Sequence, residues 1–155
     1  ASIVVKMDSS GKRIFSFPEV GEPTIAMKLA QELLMRIIKI YPVEKKQIYV
    51  GGLSMGGMGT FEIVRRNPKL FAAAIPICGG GNTATASQLK KAKWWVFHGA
   101  KDDVVPPQLS EDMVAALKKI KATVKFTLYP NANHNSWDSA FAEPDLLSWL
   151  FAQKR

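Results

Sequence analysis

One cysteine, Cys78, and two histidines, His98 and His134, are all that this chain offers of the residues from which disulfides and zinc sites are built. A lone cysteine excludes an internal disulfide and leaves the redox compartment undetermined. Neither the histidines nor the cysteine are spaced as ligands, so no metal site is expected. No apolar run approaches the length of a membrane span, and no charged-then-apolar leader pattern opens the sequence, which reads equally as a mature form or an excised piece. Repeats, low-complexity tracts and linkers are absent too. With 155 residues, 47% of them apolar and 22% charged, the expectation is one domain with one sizeable core.

Acidic residues are in deficit: 13 against 21 lysines and arginines, a net charge of +8. The cations come in small scattered groups (Arg65, Arg66 and Lys69; Lys90, Lys91 and Lys93; Lys118, Lys119 and Lys121). Two of these groups end expected helices, where positive charge complements the helix dipole. No recognition motif accompanies them, so nucleic acid is not an expected partner, whereas attraction to anionic polymers or surfaces stays open.

What is present is an alternation of apolar runs. Residues 1–23 read as a hairpin around the turn Asp8–Lys12 or as an irregular arm. From Thr24, a helix N-cap by type, Ile25, Leu29, Leu33, Ile37 and Ile38 recur at helical spacing until Pro42, and their breadth suits a helix lying on a sheet. Strands are expected over 47–53, 71–77, 93–98 and 124–129. Helices are expected from about Met55 to Arg66, after Pro106-Pro107 with Leu109, Met113, Val114, Leu117 and Ile120 inward, and after Glu143-Pro144-Asp145 with Leu146, Leu147, Leu150 and Phe151. Such alternation implies crossover connections and a mostly parallel sheet, whose ligands bind outside the carboxyl ends of the strands.

At one such end stands Gly52-Leu53-Ser54-Met55-Gly56, the Gly-x-Ser-x-Gly of a nucleophile elbow, a sharp turn that lifts a serine clear of the sheet. The N–H of Met55, opening the next helix, is a candidate oxyanion donor. After the third strand come Asp102 and Asp103, and after the fourth comes His134. A serine hydroxyl needs a neighbouring base, imidazole can take and return its proton near neutral pH, and a carboxylate fixes the imidazole tautomer. Local chemistry does not choose between the two aspartates. His98, at a strand end, reads as a buried structural histidine, Asp138 as a cap or loop residue, and Cys78 as a small buried hydrophobe. Trp137, in the histidine loop, is a candidate lining of a substrate cleft.

The segments Gly52–Gly57, Pro76-Ile77-Cys78-Gly79-Gly80-Gly81, His98-Gly99-Ala100-Lys101-Asp102 with Val105-Pro106, and His134-Asn135-Ser136-Trp137 together resemble the α/β-hydrolase esterases related to prolyl oligopeptidase, the phospholipase/carboxylesterase-like or "predicted peptidase" proteins. The resemblance runs from about residue 24 to residue 152. It implies an α/β-hydrolase domain with 1–23 as arm and 24–155 as catalytic core, a serine esterase without cofactor, and a secreted setting. In that family the aspartate of Gly-x-x-Asp-x-x-Val is catalytic, which selects Asp102, with Ser54 as nucleophile and His134 as base. The implied partner is a small or polymer-linked ester. Relatives also carry earlier strands and a loop that supplies a second oxyanion donor. Nothing like it precedes Ile25, so this looks like the C-terminal part of the fold, to be completed by an N-terminal segment or a partner chain. A peptidase with the same three residues and a catalytically silent basic binding module are the alternatives.

Overall fold

A computed structural model describes residues 4–17 and 21–155; residues 1–3 and 18–20, part of the expected arm, lie outside the described residues. The chain forms two compact units, Ala1–Val43 and Glu44–Arg155. In the first, β1 (Val4–Met7) and β2 (Arg13–Ser16) pair antiparallel. Their turn is organised by Asp8, whose Oδ1 accepts from the N–H and hydroxyl of Ser10 and from the N–H of Lys12. α1 (Ile25–Ile40) follows, with Thr24 Oγ1 accepting from Met27 N–H as its N-cap. None of its residues is buried, and Ile25, Leu29 and Leu33 stand exposed.

The second unit carries a four-stranded parallel sheet in the order β3-β4-β5-β6, made of β3 (Tyr49–Leu53), β4 (Ala73–Ile77), β5 (Lys93–Gly99) and β6 (Val124–Tyr129). Parallel pairing needs crossovers, supplied by α2 (Met55–Arg66), the short α3 (Ala86–Leu89) and α4 (Gln108–Lys119). α5 (Trp137–Phe141) and α6 (Leu146–Ala152) close the chain. Side-chain alternation along β5 divides the core. Trp94 stacks on Phe61 of α2, while Trp95 and Phe97 point the other way into a cluster with Ile77, Ala140 and Leu146. All three β5 aromatics are fully buried.

Three element-level expectations change. In α4 the inward residues are Ser110, Met113, Val114 and Leu117; Ser110 takes the place expected for Leu109 because its hydroxyl is satisfied inside. In α6 only Leu146 and Leu150 are buried, a single i,i+4 stripe, whereas Leu147 and Phe151 are exposed. Asp138 belongs to the first turn of α5, a helix the sequence pattern did not announce.

The lysines that look scattered in sequence gather in space. Lys69, Lys90, Lys91, Lys93, Lys121 and Lys125 all lie just before, or at the start of, β4, β5 or β6, hence at the amino end of the sheet. Asp102, Asp103, Glu111, Asp112 and Asp138 follow strands or open helices at the other end. The amino end of the sheet is therefore the unit's basic pole.

α2 forms against its own propensity, since Gly56, Gly57 and Gly59 fall in its first five positions and each costs up to about 1 kcal/mol relative to alanine. Burial of Met58, Phe61, Ile63 and Val64 offsets this. The glycines differ in purpose. A Cβ on Gly57 would sit 2.5 Å from Ile77 O, whereas one on Gly56 would meet nothing within 4 Å. The second glycine of the elbow pattern is thus not there for room, and the one after it is. Gly57→Ala is expected to destabilise by about 1–3 kcal/mol, and Gly56→Ala to stabilise by roughly 0.5–1 kcal/mol, as shifts of the urea midpoint.

Candidate active site

Ser54 joins β3 to α2 with φ 54° and ψ −119°, left-handed backbone that a non-glycine residue adopts only under constraint. The constraint is visible: Ser54 N–H donates to Ile77 O at 3.0 Å and lies 3.3 Å from Cys78 Sγ, while Ser54 O accepts from Met58 N–H at 3.1 Å. Both sides of the turn are pinned, and the Oγ is held where the elbow aims it. Met55 is the first residue of α2, so its N–H has no partner within the helix, and the residue is 77% exposed.

The loops after β5 and β6 are bound to each other. Ala100 N–H donates to Tyr129 O and Lys101 N–H to Ala132 O, both at 2.9 Å, and Lys101 Nζ reaches Asn131 Oδ1 at 3.1 Å. The approach is so close that a Cβ on Gly99 would fall 2.3 Å from Asn133 O. This seam sets His134 against Asp102.

His134 Nδ1 lies 2.8 Å from Asp102 Oδ2, and its Nε2 lies 3.0 Å from Ser54 Oγ. A carboxylate only accepts, so Nδ1 carries the hydrogen and Nε2 presents a lone pair to the serine hydroxyl. The Asp102 side chain is fully buried, whereas that of His134 is 19% exposed and open to solvent. Asp103 is exposed on the neighbouring position. Ser54, Asp102 and His134 are thereby brought together, and of the two aspartates it is Asp102 that meets the imidazole. Trp137 stands edge-on to His134, with ring centroids 5.4 Å apart, and packs on the core cluster. It packs between the His134 ring and the core. A cavity of about 350 Å³ adjoins the same loop, lined by Asn131, Asn135, Asp138 and Ser139 among others, and none of Ser54, Asp102 and His134 lines it.

Cys78 is fully buried beneath Ser54, with φ 41°. Its Sγ, an Asp102 oxygen and a His134 nitrogen lie within 4.8 Å of one another, a grouping of ligand types the linear spacing does not reveal. The donor set does not fit a metal. Burial pushes the Cys78 thiol up to about 11, so it stays protonated at neutral pH. The Asp102 carboxylate is already saturated with hydrogen bonds: its Oδ1 accepts the N–H groups of Val104 and Val105, each at 2.9 Å.

Two more residues complete the surroundings: His98, read from the sequence as a buried structural histidine, and Ser110, which the sequence reading did not single out. His98, buried as expected, places Nε2 3.1 Å from Asp102 Oδ2, and Ser110 Oγ lies 2.7 Å from His98 Nδ1. The signal for the first was the spacing His98-Gly99-x-x-Asp102 at a strand end. For Ser110 it was a lone hydroxyl among the inward positions of an amphipathic helix.

A parallel sheet with a serine elbow after one strand, an acid after another and a histidine after the last defines an α/β-hydrolase. Residues 11–145 match the dienelactone hydrolase family, and the chain belongs to that family. Among solved structures it is similar to a thermostable esterase, with 35% identity and a TM-score of 0.83 over 86% of this chain and 38% of that one. It is also similar to the acylaminoacyl peptidase of Pyrococcus horikoshii, with 16% identity and a TM-score of 0.65 over 71% of this chain and 23% of that one, a likeness of fold alone. Over 81 residues it is 32% identical to the bifunctional acetylxylan esterase/xylanase XynS20E of Neocallimastix patriciarum, a stretch covering 52% of this chain and 12% of that protein. The chain thus spans well under half the length of these relatives.

Proposed function

We propose that the chain is a serine hydrolase that cleaves carboxylic esters through an acyl-enzyme. The observation that carries this reading is the continuous path from Ser54 Oγ through the His134 ring to Asp102 Oδ2, at 3.0 and 2.8 Å. In the proposed first step the Ser54 oxygen attacks the ester carbonyl while His134 Nε2 takes its proton. The imidazolium, steadied by Asp102, then returns that proton to the departing alcohol. Water repeats the sequence on the acyl-enzyme and frees the acid. Met55 N–H is the proposed oxyanion donor. Removing such a donor typically costs about 2.7–4 kcal/mol of transition-state stabilisation.

Two observations bear on the ester. Leu53 and Met55, exposed beside the nucleophile, offer an apolar contact for the acyl part. The identity with an acetylxylan esterase supports an acetyl ester, free or carried on a polysaccharide. A fluorophosphonate probe tests the chemistry without knowledge of the natural substrate. The expected result is one labelled residue, Ser54, with labelling lost in His134→Ala. Matched ester and amide substrates separate esterase from peptidase, and faster amide turnover would favour the latter.

The basic pole supports a second reading, a silent module that binds anionic polymers. It predicts an unlabelled Ser54 and salt-sensitive retention on a polyanion resin. An unlabelled wild-type protein would replace the first reading by this one.

A further inference from the structure

His98 is fully buried in β5 and held at three points. Nδ1 lies 2.7 Å from Ser110 Oγ, and Nε2 lies 2.9 Å from Val105 O and 3.1 Å from Asp102 Oδ2. A carbonyl and a carboxylate both only accept, so Nε2 carries the hydrogen and donates toward them. Burial keeps the ring's pKa below the ordinary histidine value, which favours a neutral imidazole. Ser110, in the first turn of α4, also lies 2.9 Å from Gly79 O, and in this tautomer its one hydroxyl hydrogen is shared between that carbonyl and His98 Nδ1, both of which only accept.

Asp102 Oδ2 therefore sits between two imidazoles. His134 donates from one side and His98 from the other, while Oδ1 takes the two backbone N–H groups. All four acceptor directions of the carboxylate are filled, and only one of the four donors belongs to the group that would move protons. We propose that His98 is a positioning residue, the fixed donor that holds the Asp102 carboxylate in line with His134. The proposal rests on the reading of Ser54, His134 and Asp102 as the reacting chain. Val105 O and Ser110 would suffice to satisfy a histidine that merely filled the core. The third contact, on the oxygen shared with His134, is what couples this ring to the reaction.

Without the His98 donor, Oδ2 keeps a single partner, and the carboxylate gains freedom to tilt away from the imidazole. The loss falls on the step that builds the imidazolium and spares substrate binding, which Asp102 does not touch. The test compares His98→Leu with His98→Gln, whose amide N–H stands in for Nε2–H, on p-nitrophenyl acetate, with rates counted per fluorophosphonate-titrated site. The expected result for His98→Leu is a kcat lower by about 10- to 100-fold with KM within about twofold, and recovery of most of the loss in His98→Gln. A wild-type kcat per titrated site in His98→Leu would overturn the proposal, and so would an equal loss in both variants.

If His98→Leu does not fold, His98→Met carries the test, because its unbranched side chain fills the same space and likewise offers Asp102 no donor. A lowered kcat at constant KM supports positioning, and an unchanged kcat refutes it. A wild-type protein that neither turns over ester nor labels would sink the hydrolase reading itself. The downfield proton resonance of His134 Nδ1–H still reads positioning in that event. It should be sharp in the wild type and in His98→Gln and lost in His98→Leu; its persistence in His98→Leu contradicts the proposal.

Discussion

Replacing Ser54 by alanine is expected to lower kcat for p-nitrophenyl acetate by on the order of 10⁶-fold, with the fold intact. The magnitude follows from the role. Without the hydroxyl no acyl-enzyme forms, and what remains is whatever acceleration the oxyanion donor and binding supply to attack by water. The fold should survive because Ser54 is pinned through its backbone, by Ile77 O and Met58 N–H, and among the described residues its side chain bonds to His134 alone. The backbone adds a second readout. At φ 54° a glycine relieves strain that alanine keeps, so Ser54→Gly should be equally inactive yet more stable than Ser54→Ala by about 1 kcal/mol or more. Urea midpoints of the two variants check this. A dead enzyme that gains stability is the signature of a residue held in strain for its chemistry.

The second large effect concerns the acid. Asp102→Asn is expected to cost about 10⁴-fold in kcat, and Asp103→Asn close to nothing. An asparagine offers one acceptor oxygen where the carboxylate offers two. Four donors converge on that side chain, from His134, His98, Val104 and Val105. If the amide nitrogen turns toward His134, it drives the ring hydrogen onto Nε2, and the base then presents a donor to Ser54. Asp103 is exposed and has no such company. Parallel kcat measurements on the two variants decide the point, and a larger loss at Asp103 would reverse the assignment.

The grouping of the candidate site was legible from residue types and their order. Ser54, Asp102 and His134 each follow a different strand, and parallel strands with crossovers bring their carboxyl ends together whatever the details of packing. The strands themselves were legible because buried parallel strands are nearly continuous apolar runs, as in Trp94–Phe97. What depended on hydrogen bonds between distant segments was not. Nothing local says that Ser110 turns inward, since its reason is a carbonyl at Gly79 and a ring nitrogen at His98. Gly56 and Gly57 look equivalent in sequence, and only the path of Ile77 O separates them. The basic pole escaped notice because lysines far apart in the chain precede neighbouring strands.

The central claim is that Ser54 becomes acylated during turnover. Protein quenched while hydrolysing p-nitrophenyl acetate, digested and analysed by mass spectrometry, reads it directly. The account predicts an acetyl group on the peptide containing Ser54, present in the wild type, accumulated when deacylation is slow and absent from Ser54→Ala. Turnover with Ser54 never modified, or with the acetyl group on another residue in both proteins, would contradict it.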